Sequence, residues 1–458
     1  MAVEVARQRR AGIQLRNPLE KYVNQESIKE APLQQATPAP TDRYGNALDP
    51  IVRYARGQVL KGSDDEVQRM LHARRIVGEL VRSKGKEGVY DLSGMNRGSG
   101  ITAEDVPHLS SHVPFFARFE GKTEPLALKH MGADPAKHAA LILNRVSAAN
   151  FVALTTLLKP GEQVFAFAPV GGAAHPSTVR PISMAGAKLL EFHTLRELES
   201  AWRASGPPRL LLITPISASK RHIPYDEFTA ALALPRAPRT LVYVDDAHMA
   251  TRIAFFDEPP TFQVGGVDLA VCSADKHIAG PRAGVMVGRK DLVTAIASRA
   301  YELGLEAQAG QYVGVGNALR NFDPRAVKEA GKIAVDLIKI LAQKYGSERV
   351  YLGGPGVSIS GDDAIAIALE ARGGVIKPKL VAAEAAGLVA MQMLEHDSIL
   401  TIGAVAMPGS APAVRLMMYP DGPRLGVERI VASIERGIDR RSVVIDDVDA
   451  ARKQLLGI

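Results

Sequence analysis

The chain has 458 residues, 46% hydrophobic and 23% charged, a composition that excludes a disordered or fibrous chain and allows a large core, with two domains plus an arm expected from the length. One cysteine, Cys272, excludes an internal disulfide, no apolar run is long enough to cross a bilayer, and MAVEVARQRRAG lacks the apolar centre of a secretory signal, so the expected location is the cytoplasm. The net charge of +7 is uneven, with 16 Lys/Arg against 11 Asp/Glu in residues 1–90; a solvated arm is the plain reading, and a nucleic-acid footprint is the alternative, although no regular aromatic or glycine pattern accompanies the charges.

Residues 1–45, with clusters such as APLQQATPAPTDR, read as an irregular arm. Residues 64–83 carry Val67, Met70, Leu71, Val77, Leu80 and Val81 near helical spacing, acids first and arginine late, which predicts one amphipathic helix. From about residue 86 short apolar runs alternate with helical stretches: AALIL (139–143), VFAFA (164–168), AKLLEF (187–192), RLLLI (209–213), TLVYV (240–244), VDLAVC (267–272) and AGVMV (283–287). Continuous Val/Leu/Ile runs mark strands covered on both faces, with helices at Ser147–Leu158 and Leu195–Ala204 among the connections. The expectation is an α/β fold with a seven-stranded, mostly parallel, doubly wound sheet. The last run follows its predecessor too closely for a crossover helix, so it is expected to be antiparallel to its neighbour. Residues 290–345 read as largely helical, with a Gly-rich loop at 309–316. Beyond 346, GVSIS (356–360), TIGAVA (401–406) and VRLMMY (414–419) read as strands, and 377–396 and 426–441 as helices, giving a small C-terminal α+β domain. The expected division is 1–88 (arm and helix), 89–330 (large α/β domain) and 331–458 (small domain).

The run Val271–Gly284 places a lone lysine, Lys276, between two core strands, followed by a Gly-Pro turn. Lysine is rarely buried unless paired, because its charge resists desolvation. A lysine whose pKa is lowered by burial becomes a neutral amine able to form a Schiff base with a carbonyl. Pyridoxal phosphate is the usual carbonyl, and its lysine comes with an aspartate for the ring nitrogen. The strand end Tyr243-Val244-Asp245-Asp246-Ala247-His248 offers that aspartate. The plainer alternatives are a snorkelling lysine in a turn and an aspartate capping a helix.

With these residues in place, the chain from about Tyr90 to its end resembles the fold type I (aspartate aminotransferase-like) pyridoxal phosphate enzymes. Within them S-A-D-K-H-I-A-G-P-R-A-G (273–284) most resembles the branch of bacterial selenocysteine synthase and its lyase relatives. The resemblance implies Lys276 as the Schiff-base lysine and base for the Cα proton, Asp245 (or Asp246 beside it) at the ring nitrogen, and His248 near the ring's 3-oxygen or the imine. It implies a phosphate site at the turn Ser147-Ala148-Ala149, where Arg145-Val146 stand in place of the usual glycine, with Ser273 as a further phosphate contact. His175, after the second strand, is implied as the ring-stacking residue, Ser217 or Ser219 as cofactor contacts, and Arg415 as the holder of the substrate α-carboxylate. Arg282 is open between a phosphate contact and an exposed side chain. Arg97, in Asn96-Arg97-Gly98-Ser99-Gly100, lies on a segment that contacts substrate in relatives; the glycines precede any βαβ unit and do not suggest a nucleotide loop. His108 and His112 have the i,i+4 spacing of zinc ligands, but no third acid or cysteine lies nearby, so no metal is expected.

The expected activity is β-elimination or β-replacement on a small hydroxy- or phospho-amino acid through a Cα carbanion, by a lyase or transferase. Transamination and aldol cleavage are alternatives. Two other classes are an enzyme that modifies an aminoacylated tRNA, suggested by the basic residues 1–90, and a non-catalytic regulator that binds the cofactor. The resemblance implies at least a homodimer, with the 309–316 segment a candidate for completing the neighbouring site.

Overall fold

The computed structural model describes residues 40–458, apart from 96, 375 and 376 and the side chains of 441 and 443. The expected arm lies outside the described residues up to position 39. The seven apolar runs become seven strands: β1 (His138–Leu143), β2 (Gln163–Phe167), β3 (Lys188–Phe192), β4 (Leu210–Ile213), β5 (Leu241–Asp245), β6 (Leu269–Ser273) and β7 (Gly284–Arg289). They form one sheet in the order β1-β7-β6-β5-β4-β2-β3. Neighbours among β2 to β6 are parallel. Strand β7 runs antiparallel to both β6 and β1, as its short connection requires.

Successive residues of each strand face opposite sides, and both sides of the central strands β2, β4, β5, β6 and β7 are covered. Phe165, Phe167, Val242 and Val244 enter one core with Leu198, Trp202 and Phe228 from helices Leu195–Ser205 and Tyr225–Leu232. Val164, Ala166, Leu241 and Tyr243 enter the other, with Val152, Leu154 and Ile296 from helices Val146–Leu157 and Lys290–Glu302. The helix termini follow local chemistry. Thr194 accepts from the Glu197 N–H while Glu197 accepts from the Thr194 N–H, and Asp323 caps Pro324–Tyr345 by accepting from the Arg325 N–H.

A second, three-stranded antiparallel sheet contains β8 (Val350–Leu352), β9 (Gly356–Ser360) and β10 (Ala413–Met417), with β9 central. Leu337, Val389, Ile430 and Ile434, from helices Pro324–Tyr345, Ala382–Asp397 and Val427–Val444, pack on Val357, Ile359, Val414 and Leu416. The predicted N-terminal helix, Ser63–Lys84, packs Ala73 into a cluster with Leu388, Met391 and Leu455. Among the described residues no helix is long and apolar enough to cross a membrane.

Two expectations fail. The Gly-rich 309–316 segment is no loop but the first two turns of helix Ala309–Asn321. Its glycines serve close packing: a β-carbon on Gly314 would lie 2.0 Å from the Ser99 carbonyl oxygen, and one on Gly316 2.7 Å from Thr123 Oγ1. The segment TIGAVA is not a strand. Pairing is confined to Ile399–Leu400, which runs parallel to Tyr90–Asp91, and Ile402–Val405 is one helical turn that brings Gly403 within reach of Ala390 Cβ on helix Ala382–Asp397.

Candidate active site

Ligands of open parallel sheets collect at the carboxyl ends of the strands, and here that edge faces a cleft of about 880 Å³ closed from the other side by Met407, Ser410, Ala411 and Arg415. Strand β1 delivers Arg145, Val146 and Ser147 to the cleft, β4 delivers Thr214, and β5 delivers Asp245, Ala247 and His248. Ser273, Asp275 and Lys276 follow β6, and Arg282 precedes β7. His175 and Ser177 come from the loop and helix after β2, and Arg97 from the segment before β1. Lys276 and Asp245 therefore share one cavity.

Strand alternation separates the two adjacent aspartates. Asp246 turns away into a closed ion network: it accepts from Arg252 Nη2 at 2.6 Å and Thr261 Oγ1 at 2.7 Å, and Arg252 Nη1 donates to Glu258 Oε2 at 2.7 Å. His222 Nε2 lies 2.6 Å from Glu258 Oε1 and extends the network. Arg252 is fully buried, and these carboxylates hold its pKa above the ordinary value against the opposing effect of burial. Asp245 faces the cleft. Its Oδ2 accepts from Asn150 Nδ2 at 3.2 Å, while its Oδ1 is buried without a hydrogen-bond partner among the described residues. Burial raises the Asp245 carboxyl to a pKa of about 6, against the opposing charge of Lys276 and the Asn150 hydrogen bond.

Asn150, on helix Val146–Leu157, is the hub. Its amide also donates to Ser177 Oγ at 3.0 Å and its Oδ1 accepts from the Tyr243 hydroxyl. Ser177 in turn bonds His175: its backbone N–H donates to Nδ1 at 3.1 Å, and its Oγ lies 2.8 Å from the same nitrogen. Nδ1 is thus an acceptor and Nε2 carries the imidazole proton. Burial, with Lys276 and Arg180 as nearby cations, lowers the His175 pKa to about 3, so the ring is neutral. A chain of hydrogen bonds joins Asp245 to His175.

Lys276 is half-buried, with its side chain on the cleft. Burial lowers its pKa, Asp275 and Asp245 oppose that, and Arg415 and Arg97 add to it. At the end of the cleft towards β1, helix Val146–Leu157 begins with no side-chain cap, and its first N–H groups and dipole favour an anion. Ser147 lines the cleft there. Ala148 does not, and Ala149 is buried with its N–H bonded to the Arg145 carbonyl at 3.0 Å. Ser273 reaches the cleft, but its hydroxyl donates to Asp275 Oδ1 at 2.6 Å. Asp275 also meets Arg97 Nε at 3.2 Å and Arg282 Nε at 4.0 Å. Burial, together with Arg97 and Arg145, lowers the Arg282 pKa to about 10. Arg282 is thus a cleft residue rather than an exposed one.

Arg415 sits on β10 opposite Ser358 and is buried in the cleft wall. One guanidinium nitrogen donates to the Ala218 carbonyl, and its Nε has no partner among the described residues. Burial lowers its pKa to about 10, with no carboxylate among the causes. His248 lines the cleft with its ring against Lys220 Nζ, 2.8 Å from Nδ1. Ser217 is turned away from the cleft. It is buried, and its hydroxyl shares a 2.9 Å hydrogen bond with Ser219. The Gly-rich helix supports the site within the same chain, because Gln311 Nε2 donates to the Asn144 and Arg282 carbonyls at 3.3 and 3.1 Å. His108 and His112 lie on separate short helices, each against a phenylalanine ring. Asn150, Ser177 and Lys220 belong to no motif, and only their position in the fold reveals them; Asp275 lies in the 273–284 run, but its contacts with Ser273, Arg97 and Arg282 appear only in the fold.

The donor set fits pyridoxal phosphate. An unpartnered buried carboxylate oxygen suits a protonated ring nitrogen, an amine whose pKa burial lowers suits an aldehyde, and a helix N-terminus beside Arg145 suits a phosphate.

No family model matches the chain. A protein of Methanothermobacter thermautotrophicus described as a UPF0425 pyridoxal phosphate-dependent protein is 28% identical over 401 residues, which cover 87% of this chain and 100% of the relative. An L-seryl-tRNA(Sec) selenium transferase of Moorella thermoacetica is 29% identical over 211 residues, 43% of this chain and 44% of that protein. Among solved structures, a serine palmitoyltransferase of Sphingomonas wittichii superposes with a TM-score of 0.52 over 81% of this chain and 84% of that one, at 14% identity. The architecture is the fold type I one, and the resemblance to the selenocysteine synthase branch holds at the level of sequence.

Proposed function

We propose that this chain is a pyridoxal phosphate-dependent enzyme that acts at the Cα of a free amino acid and carries out β-elimination or β-replacement. The observation that carries the reading is the buried, unpartnered Asp245 Oδ1 in the same cleft as Lys276. The names of the relatives support the cofactor, and the selenium transferase supports chemistry at the β-position. Residues 89–330 are taken as the cofactor-holding unit and 331–458 as the unit that presents Arg415.

When bound, the cofactor supplies an imine-forming carbonyl and a ring that withdraws electrons from Cα. The protein does the rest. Lys276 Nζ, whose pKa burial lowers, would hold the cofactor's carbonyl carbon and is placed to take a proton from the substrate Cα. Asp245 Oδ1 would accept the ring N–H of the cofactor and hold that proton in place. The Asn150–Ser177–His175 chain orients Asp245 and presents a neutral imidazole to the cleft. Ser147, Arg145 and the helix N-terminus would hold the phosphate. Arg415, with a free Nε and no carboxylate of its own, would take the substrate α-carboxylate, which favours a free amino acid over one esterified to tRNA.

The test is borohydride reduction of the protein mixed with pyridoxal phosphate, followed by peptide mass analysis. The phosphopyridoxyl group is expected on Lys276 and absent from Lys276→Ala. Label on any other lysine in the wild type, or unchanged label in the variant, would overturn the assignment. Incubation with a panel of amino acids then separates ammonia and keto-acid release from amino transfer.

A further inference from the structure

A second lysine stands behind the cleft. Residues 217–221 form a tight turn, closed by the Ser217 N–H on the Arg221 carbonyl and the Lys220 N–H on the Ser217 carbonyl, both at 3.0 Å, and flanked by the Ile216–His222 bridge. Lys220 occupies the left-handed region, with φ +70°, where glycine or asparagine is the easier choice. Its side chain is 4% exposed. Gly353, in the β8–β9 connection, lies against its stem: a β-carbon there would fall 2.5 Å from Lys220 Cβ. The charged groups that act on Lys220 are Arg415 and Lys276, both cations. The turn therefore carries a strained backbone position and a buried lysine without an acid, and both features end at one contact. Nζ lies 2.8 Å from His248 Nδ1 and 3.3 Å from Nε2. The same turn offers the Ala218 carbonyl to Arg415. Strain that the surroundings over-determine points to a role rather than to chance.

We infer that Lys220 is a positioning residue: through Nζ it holds the His248 ring in one orientation on the cleft wall. The consequence for catalysis rests on the reading of the cleft above; the geometry does not. Around His248 stand Lys220 from the turn, Lys276 and His277 from the segment after β6, and Arg415 from β10. All are basic groups, so a proton taken up by Lys220 bars a second one from the imidazole. A neutral His248 can donate or accept towards a cofactor oxygen without adding charge beside Lys276.

The experiment uses the full chain, free of cofactor, labelled with 15N-histidine, with His248→Asn identifying the resonance. In the wild type the His248 ring is expected to stay neutral, in one tautomer, across the range in which the protein is folded. In Lys220→Met it is expected to titrate at a higher pH, because a basic neighbour that opposes its protonation is gone, and to lose its single tautomer. Lys220→Arg, which keeps the cation, is expected to keep the ring neutral. Gly353→Ala, which displaces the stem, should reproduce the methionine variant and serves if that variant fails to fold. An unchanged His248 resonance in both Lys220→Met and Gly353→Ala overturns the inference. Borohydride labelling of Lys276 is scored separately, so failure of the cofactor reading leaves this result legible.

Discussion

Replacing Asp245 by asparagine should move stability and cofactor affinity in opposite directions. Burial raises the Asp245 pKa from 3.8 to about 6, and each unit corresponds to about 1.4 kcal/mol, so ionising it inside the folded protein costs roughly 3 kcal/mol. The sign follows from proton counting. Between the unfolded and folded values the folded chain holds the proton more tightly, so stability is full below about pH 4 and falls as the pH rises towards 6, after which the loss is constant. Asparagine has nearly the same shape, can still accept from Asn150, and has no charge to desolvate. Urea denaturation of the cofactor-free proteins should therefore find them alike near pH 4, with Asp245→Asn ahead by up to about 3 kcal/mol at pH 8. Pyridoxal phosphate, measured by fluorescence titration at pH 8, should bind the variant about 10–100-fold more weakly, because a charge-assisted hydrogen bond is lost. Parallel pH profiles would refute the burial argument, and unchanged affinity would refute the assignment of Oδ1 to the ring nitrogen.

Three further outcomes follow from the same geometry. Arg415→Ala should raise KM for an amino acid substrate about 10–100-fold, leaving the affinity of its α-amide unchanged; equal effects on acid and amide would remove Arg415 from the carboxylate site. Arg252→Met leaves Asp246 buried without its cation and should cost about 3–5 kcal/mol in urea denaturation, and a loss below about 1 kcal/mol would show that the network relaxes. Gly284→Ala places a β-carbon 2.7 Å from the Arg145 carbonyl oxygen, so the start of helix Val146–Leu157 must shift. Affinity for pyridoxal phosphate should fall while that for pyridoxal holds, and an equal fall for both would place the phosphate elsewhere.

Much of this protein could be read locally. The central apolar runs were legible as strands because a strand covered on both faces must be apolar on both; the edge strand β3 leaves Lys188 and Leu190 exposed. Lys276 and the 245–246 pair stood out because charged residues at the ends of core strands are costly without a purpose. The antiparallel β7 followed from the length of one connection. The Gly-rich helix was misread because composition does not say whether a glycine serves a turn or a close approach, and Gly314 is explained only by Ser99, far away in the chain. The same limit hid Ser273's bond to Asp275 and turned Ser217 away from the cleft.

What the chain alone determined was the kind of fold, the amine and the pair of acids near it, since each depends on the run of residues immediately around it. Which aspartate is free was decided by tertiary structure, because Arg252 and Thr261 close around Asp246 and nothing closes around Asp245 Oδ1. So were the Asn150 hub, which reaches Asp245 across 95 positions, and the Lys220–His248 contact, which spans 28. Hydrogen bonds between distant residues depend on where the backbone brings them in space, and no local pattern of residue types encodes that distance.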